Sequence, residues 1–236
     1  MFNYKIKNTI NKNYKKIMNL NFQKARSLMV ENQLRPNKIK DEEILGIFNE
    51  TPKENFLPND LESLSYSDMD ITLSINRGYL KNLHIAQLIK YSEIRKNQKI
   101  LHIGGLTGYV SYLLSNLCLE VLVIETDQKM NFMLKENINN YNINNIRVVE
   151  GDFHDGFSLG APYDIIFIDT PIGKINEIIL NQVSSNLGKI IMIEKENDHL
   201  SKAIKITRNE DKFSKEYLFD VFSKYELYKE KKEFRF

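Results

Sequence analysis

The stretch that decides the fold of this chain is Lys99-Ile100-Leu101-His102-Ile103-Gly104-Gly105-Leu106-Thr107-Gly108-Tyr109. Its apolar first half predicts a β-strand, and its glycine cluster opens directly into residues 109–114, which have the pattern of a helix. Glycine allows positive φ angles and lets a ligand approach the main chain closely. A strand, a glycine turn and a helix in this order are typical of sites for nucleotide-like ligands. The stretch therefore predicts a βα unit that binds a nucleoside-containing cofactor.

A carboxylate follows the next predicted strand. Residues 121–124 are apolar, and Glu125 stands about twenty residues after the glycine turn. An acid at this place can accept hydrogen bonds from both hydroxyls of a ribose. An ordinary βα turn does not require a carboxylate there, so Glu125 favours the cofactor interpretation.

The composition indicates a globular protein with one main domain. The chain has 236 residues, 42% hydrophobic and 27% charged, which is enough to bury a sizeable core. Its net charge of +2 lacks the basic excess of a general nucleic-acid binder. The single cysteine, Cys118, excludes an internal disulfide, and no apolar run approaches the ~20 residues of a membrane span. With no signal-peptide pattern and no histidine–cysteine spacing for a metal, we expect a cytoplasmic protein without membrane contact or metal.

The first 95 residues divide into two predicted parts. Residues 1–17 carry lysines and no acid, and are predicted to be a basic, flexible extension. Residues 18–95 are predicted to form a helical N-terminal cap region, with helices near 21–34, 41–49 and 83–94. This region precedes the glycine turn and is expected to cover the open mouth of the cofactor site.

Residues 96–236 are predicted to be the cofactor-binding core. Strands near 99–103, 121–124, 146–149, 164–168 and 189–193 alternate with helices near 129–141 and 175–187. Near-continuous apolar strands in this order indicate an α/β fold with a parallel sheet that has helices on both faces. Residues 216–222 and 232–236 read as an antiparallel strand pair at one edge.

The carboxyl ends of these strands carry the candidate site. In an open α/β sheet, ligands bind there, near the switch in strand order. The strand ends hold the glycine turn, Glu125, Gly151-Asp152-Phe153 and Asp169. Asp152 is suited to accept from an adenine amino group, with Phe153 beside the ring. The sequence therefore predicts that these groups converge on one crevice.

Several elements in order along the chain resemble the protein-L-isoaspartate O-methyltransferase family. They are Met29-Val30-Glu31-Asn32-Gln33-Leu34, Pro52-Lys53-Glu54-Asn55-Phe56-Leu57-Pro58, Tyr66-Ser67-Asp68, the glycine turn, Gly151-Asp152, Ala161-Pro162-Tyr163-Asp164, Gln182 and Leu187-Gly188-Lys189. They run from about Ala25 to the end of the chain. The Pro-x-Glu-x-Phe-x-Pro and Ala-Pro-Tyr-Asp elements are fairly specific in combination.

The resemblance implies a Rossmann-like, seven-stranded methyltransferase fold that uses S-adenosyl-L-methionine. It implies methylation of isoaspartyl carboxylates in damaged proteins, a repair reaction, by a monomer with a protein or peptide substrate and no nucleic acid. The cofactor-binding residues are then expected to be Gly104, Gly105, Gly108, Glu125, Asp152 and Phe153. No catalytic residue is assigned, because methyl transfer from a sulfonium to a carboxylate depends mainly on positioning.

The sequence departs from the family pattern at three places. His102 stands where the family usually has an acid, and Leu106 stands where it has glycine. The family's Ile-Ser-x-Pro element corresponds to Tyr79-Leu80-Lys81-Asn82, so Leu80 offers no hydroxyl. These departures keep two alternatives open: a catalytically inactive binding or assembly protein of this fold, and a methyltransferase for another acceptor, such as a small molecule or RNA.

Overall fold

The computed structural model describes residues 21–197 and 200–228. The N-terminal region is helical, as the sequence predicted. A helix (α1) covers residues 21–29 and continues as a π-helical turn, and Asp41 caps α2 by accepting hydrogen bonds from two backbone N–H groups. The predicted basic extension at 1–17 lies outside the described residues. The other elements of this region are the π turn Val30–Leu34, α2 (Glu42–Glu50), the antiparallel pair β1 (Ile71–Thr72) and β2 (Gly78–Tyr79), and α3 (Asn82–Ser92).

The core is a seven-stranded sheet flanked by short helices. The elements are β3 (Lys99–Ile103), α4 (Tyr109–Ser115), β4 (Glu120–Ile124), α5 (Gln128–Asn140), β5 (Ile146–Val148), β6 (Ile165–Ile172), α6 (Glu177–Leu180), β7 (Asn186–Lys195), β8 (Ser201–Asn209) and β9 (Lys212–Val221). The strand order is β5-β4-β3-β6-β7-β8-β9. The first five are parallel neighbours and the last two add on antiparallel. The order reverses between β3 and β6, which is where the topology predicts a ligand crevice.

One prediction in the C-terminal half needs correction, and a second is confirmed in its first strand. The helix expected over 175–187 is only the four-residue α6, because Val183 pairs with Tyr163 across a β-bridge and β7 begins at Asn186. The strand predicted over 216–222 is confirmed as part of β9, whose antiparallel neighbour in the described sheet is β8. Residues 232–236, the second strand of the predicted pair, lie outside the described residues.

Each face of the sheet has its own apolar core. On one face, α3, α4 and α5 pack together with the N-terminal region, and Leu106 belongs to this core. On the other face, the core includes Phe153, Tyr163 and Ile179, and also Leu227 from the C-terminal segment. The second face is thus closed partly by loops and by the end of the described chain, next to the predicted crevice.

Candidate functional site

The three glycines of the turn face different surroundings. Gly104 and Gly108 have φ angles of +91° and +97°, which favour glycine, and the N–H groups of Gly104 and Gly105 both donate to the carbonyl of Ile124. A β-carbon at Gly105 would lie 2.3 Å from Val123 Cγ2, and one at Gly108 would lie 2.7 Å from Leu134 Cδ1. These two glycines therefore allow close packing inside the fold. Gly104 is the glycine that faces the crevice.

Leu106 occupies the left-handed region with φ +50°, a conformation that costs a non-glycine residue about 1 kcal/mol. Its side chain is buried in the core of the α3–α5 face, and its N–H donates to Glu125 Oε2 at 2.7 Å. Burial and this hydrogen bond offset the backbone cost. The departure at position 106 thus leaves the turn intact.

Glu125 lies where the sequence predicted, at the end of β4, but its carboxylate is already fully hydrogen-bonded. Oε1 accepts from the Asp127 N–H at 2.9 Å and from Arg77 Nη1 at 3.3 Å, while Oε2 accepts from the Leu106 N–H and from Arg77 Nη2, both at 2.7 Å. A carboxylate has about four acceptor positions. The Glu125 side chain is completely buried, so no acceptor position is left for a ribose in this conformation.

Arg77 lies at the centre of the crevice and contacts residues on several of its sides. Besides its bidentate pair with Glu125, its guanidinium carbon lies 5.0 Å from the ring centre of Phe153, a cation–π distance. Nη2 lies 3.5 Å from the place of a β-carbon on Gly104. Three predicted cofactor-binding residues, Gly104, Glu125 and Phe153, therefore meet around one guanidinium group.

The C-terminal segment 225–228 covers the same crevice. The Glu226 N–H donates to the carbonyl of Asn76 at 3.0 Å, and the Leu227 N–H donates to that of Pro171 at 2.9 Å. Leu227 Cδ1 lies 2.7 Å from the place of a β-carbon on Gly104, and the ring of Tyr228 lies 3.6 Å from that of His154. The segment thus lies over the open side of the glycine turn.

Two buried polar atoms beside this crevice lack partners. Arg77 Nε and Thr170 Oγ1 have no hydrogen bond within the part of the chain that the structure describes. Thr170 Oγ1 lies 3.9 Å from the place of a β-carbon on Gly104. An unpaired buried polar atom is costly, so the crevice contains polar groups that its present occupants do not satisfy.

Asp152 is separate from this cluster. Its side chain is 59% exposed, and Oδ1 accepts from the N–H of His154 at 2.8 Å and meets His154 Nδ1 at 3.0 Å. The backbone hydrogen bond from His154 lowers the pKa of Asp152. Asp152 is therefore an ionised, accessible acceptor at the rim of the crevice, next to buried Phe153.

His102 and Asp169 form a buried network beneath the turn. His102 Nδ1 lies 2.8 Å from Ser111 Oγ, and Nε2 lies 3.1 Å from Asp169 Oδ1. The imidazole is 1% exposed and the carboxylate 3% exposed. Both groups are thus committed to hydrogen bonds within the core, and Asp169, which the sequence predicted at the crevice, takes part in that network instead.

Leu80 follows β2 and is 1% exposed, so its position carries a packed apolar side chain. The next residue, Lys81, lines a cavity of about 670 Å³ whose walls also carry Asp68, Asp70, Asp220 and Lys224, together with the imidazole of His84. Burial lowers the pKa of His84 to about 4 and raises that of Asp70. Tyr225 also lines this cavity, which therefore adjoins the segment over the crevice.

Within residues 21–197 and 200–228, no group of three or more His, Cys, Asp or Glu is arranged to hold a metal ion. None of the helices described there is both long enough and apolar enough to cross a membrane.

The strand order and the glycine crevice define the class as a Rossmann-like methyltransferase fold. The family model for protein-L-isoaspartate(D-aspartate) O-methyltransferase matches residues 24–222. The chain belongs to that family, which confirms the resemblance seen in the sequence.

Relatives and solved structures agree with this assignment. The chain is 28% identical over 168 residues to a protein-L-isoaspartate O-methyltransferase of Methanoculleus marisnigri, covering 71% of this chain and 76% of the relative. It is 26% identical over 197 residues to that of Aliivibrio fischeri, covering 84% and 93%. A solved protein-L-isoaspartate O-methyltransferase has a TM-score of 0.71 at 21% identity; the match covers 84% of this chain and 64% of that chain's length. A Plasmodium falciparum protein assigned to the same activity, bound to S-adenosyl-L-homocysteine, has a TM-score of 0.69 at 16% identity, covering 84% and 98%.

The backbone of the crevice fits a bound S-adenosylmethionine, whereas the side chains in their present positions do not. The backbone frame fits, because the glycine turn, Glu125 and Phe153 meet at one end of the sheet. The side chains do not, because Arg77 fills the acceptor positions of Glu125 and Leu227 covers Gly104. In this conformation Arg77 and Leu227 occupy the surroundings of Glu125 and Gly104 that such a cofactor would contact.

Sequence reasoning missed Arg77 and the segment 225–228. Arg77 stands 48 residues before Glu125, in a stretch that reads only as a turn, and no local pattern links the two.

Proposed function

We propose that this chain is an S-adenosylmethionine-dependent O-methyltransferase that methylates the carboxylate of isoaspartyl residues in damaged proteins. The observation that supports this most is family membership over residues 24–222. The proposal includes a cytoplasmic repair role, a monomeric state, and peptides or proteins as substrates. It assigns 18–95 as the cap region and 96–236 as the cofactor-binding core.

The proposed cofactor contacts are those predicted from the sequence: Gly104, Gly105, Gly108, Glu125, Asp152 and Phe153. Gly104, Glu125 and Phe153 support the proposal by their common position, and Asp152 by its exposed carboxylate at the rim. Gly105 and Gly108 contribute through the shape of the turn, since their α-carbons face Val123 and Leu134.

The protein's own part in such a reaction is mainly orientation and exclusion of water. S-Adenosylmethionine would supply a methyl group that is already activated. An isoaspartyl carboxylate is ionised at neutral pH and needs no general base. The cavity beside Lys81, with lysines and aspartates in its walls, is the proposed entrance for a charged peptide.

A second candidate function rests on a specific observation. Leu80 provides no hydroxyl where the family resemblance expects one, and Glu125 has all its acceptor positions filled. Both features suit a member of the family that has lost catalysis and serves as a binding or assembly partner.

Transfer of labelled methyl groups to an isoaspartyl peptide separates the two candidates. We expect methylation by the wild-type chain, strong loss in Glu125→Gln, and no change in Glu136→Gln, which alters an exposed glutamate on α5. A normal-aspartyl peptide serves as the acceptor control. If folded protein binds S-adenosylhomocysteine but methylates neither the peptide nor damaged protein, the isoaspartyl assignment is wrong and the binding-protein candidate gains support.

A further inference from the structure

We infer that Arg77 and the C-terminal segment 225–228 form an internal plug, which must leave the crevice before S-adenosylmethionine can bind. The inference rests on the proposed function, because it takes that cofactor as the ligand. It goes further in naming the residues that keep the site closed and the movement that opens it.

The plug occupies acceptor positions of the Glu125 carboxylate. Arg77 donates two of the four hydrogen bonds that Glu125 accepts, and the other two come from backbone N–H groups fixed by the fold. The hydroxyls of a ribose would need the two positions that Arg77 fills. Arg77 and the ligand therefore compete for the same carboxylate.

The plug also covers the glycine turn. A ligand at this turn must approach Gly104, the glycine that faces the crevice. Leu227 Cδ1 lies only 2.7 Å from the position that a β-carbon would take there, which is closer than van der Waals contact, and Arg77 Nη2 lies 3.5 Å from the same position. Two side chains from distant parts of the sequence thus cover one short stretch of backbone.

Backbone hydrogen bonds hold the plug in place. The segment is attached by two backbone hydrogen bonds, from Glu226 to Asn76 and from Leu227 to Pro171. Asn76 immediately precedes Arg77, so the segment and the arginine are held at one place. Arg77 Nε and Thr170 Oγ1 have no hydrogen-bond partner among residues 21–197 and 200–228, so this closed arrangement satisfies the polar groups of the crevice only in part, as expected where protein side chains replace a ligand.

A plug weakens the apparent affinity for the ligand, because only the open fraction of the molecules can bind it. We expect Arg77→Met, which keeps an unbranched side chain against Phe153 but cannot bond Glu125, to bind S-adenosylhomocysteine at least tenfold more tightly than wild type. Leu227→Ala, which leaves the Glu125 pair intact, is expected to act in the same direction.

Calorimetric titration of the full-length chain with S-adenosylhomocysteine tests this, after circular dichroism has shown that each variant is folded. Arg35→Met is the matched control, since Arg35 forms an equally bidentate pair with Glu42 on the exposed N-terminal region. We expect it to bind like wild type. Amide exchange at Glu226 and Leu227 provides a second measurement, and it should rise when wild-type protein is saturated with ligand.

The outcomes are distinct. If wild type and Arg77→Met bind equally and exchange at 226 and 227 stays unchanged, the plug is refuted while the cofactor assignment stands. If Arg77→Met binds more weakly, Arg77 holds the ligand instead of excluding it, and the plug is again refuted. If no folded variant binds, both the plug and the cofactor assignment fail.

Discussion

Lys53 is a buried lysine that links the stability of the fold to pH. Its side chain is fully buried between the rings of Tyr79 and Tyr109, and Nζ donates to Asn82 Oδ1 at 2.8 Å. Burial lowers the pKa of Lys53 from its ordinary 10.5 to about 7, against the opposing effect of Asp70 and Asp169. Between these two pH values the unfolded chain binds more protons than the folded chain, so the free energy of unfolding rises with pH.

The size of the effect follows from the two pKa values. The folded chain carries a penalty from Lys53 of roughly 4 kcal/mol at pH 7 and roughly 2 kcal/mol at pH 9. Lys53→Met removes this penalty but leaves Asn82 Oδ1 without its donor, which costs about 1–3 kcal/mol at both pH values. The difference between wild type and variant should therefore change by roughly 2 kcal/mol from pH 7 to pH 9, in favour of wild type.

Urea unfolding followed by circular dichroism at pH 7 and pH 9 measures this difference. Burial keeps the pKa of Tyr79 far above pH 9, so its hydroxyl stays neutral throughout. Lys96→Met is the control, because Lys96 is 65% exposed and lies outside the buried site. The quantity to compare is the free energy of unfolding of wild type minus that of Lys53→Met. If it is the same at both pH values within about 0.5 kcal/mol, the pKa of Lys53 is not lowered in the folded protein, and the reasoning is refuted.

Three smaller predictions concern single contacts of the core. Ser111→Ala leaves His102 Nδ1 buried without a partner and should lower the free energy of unfolding by about 1–3 kcal/mol; an unchanged urea midpoint would argue that the network contributes nothing. Burial lowers the pKa of His84 to about 4, so the unfolded chain binds the proton first and wild type loses stability as pH falls from 6.5 towards 4. His84→Phe should remove this loss, which melting temperatures of both proteins at pH 5 and pH 7 would show. Gly105→Ala should cost about 1–3 kcal/mol in thermal unfolding, since its β-carbon would lie 2.3 Å from Val123 Cγ2.

The parallel core of the fold could be predicted because each of its strands carries its own local signal. The apolar run before Gly104 and the run before Glu125 became β3 and β4, with bounds within a residue of those expected. The strand over 216–222 was predicted and became part of β9, whereas β8 was missed because its charged and apolar residues alternate and its burial depends on β7 beside it. A helix was overpredicted at 175–187 because a bridge between Tyr163 and Val183 overrides local propensity there.

The sequence predicted where the residues of the candidate site lie in the sheet, but not which side chains they contact. The sequence located Gly104, Glu125 and Phe153 at strand ends, and topology brings such ends together. It did not predict that Arg77 would pair with Glu125, since that contact joins residues 48 positions apart. Asp169 was expected at the crevice from the same rule, yet its partner is His102, whose side chain points into the core. The rule predicts which strand ends share an edge, whereas side-chain partners depend on tertiary packing.

A contribution to the stability of the fold does not by itself explain the buried Arg77–Glu125 ion pair. Burying two charges costs about as much as their attraction returns, and apolar side chains of similar volume often stabilise a fold equally well. The pair also leaves Arg77 Nε without a hydrogen bond to any of the described residues. A carboxylate with two fixed backbone donors and one replaceable arginine makes better sense as a binding group whose second pair of donors can be exchanged. On this argument Glu125 is buried for its ligand, Arg77 keeps it paired in the meantime, and the segment 225–228 sets how readily the exchange takes place.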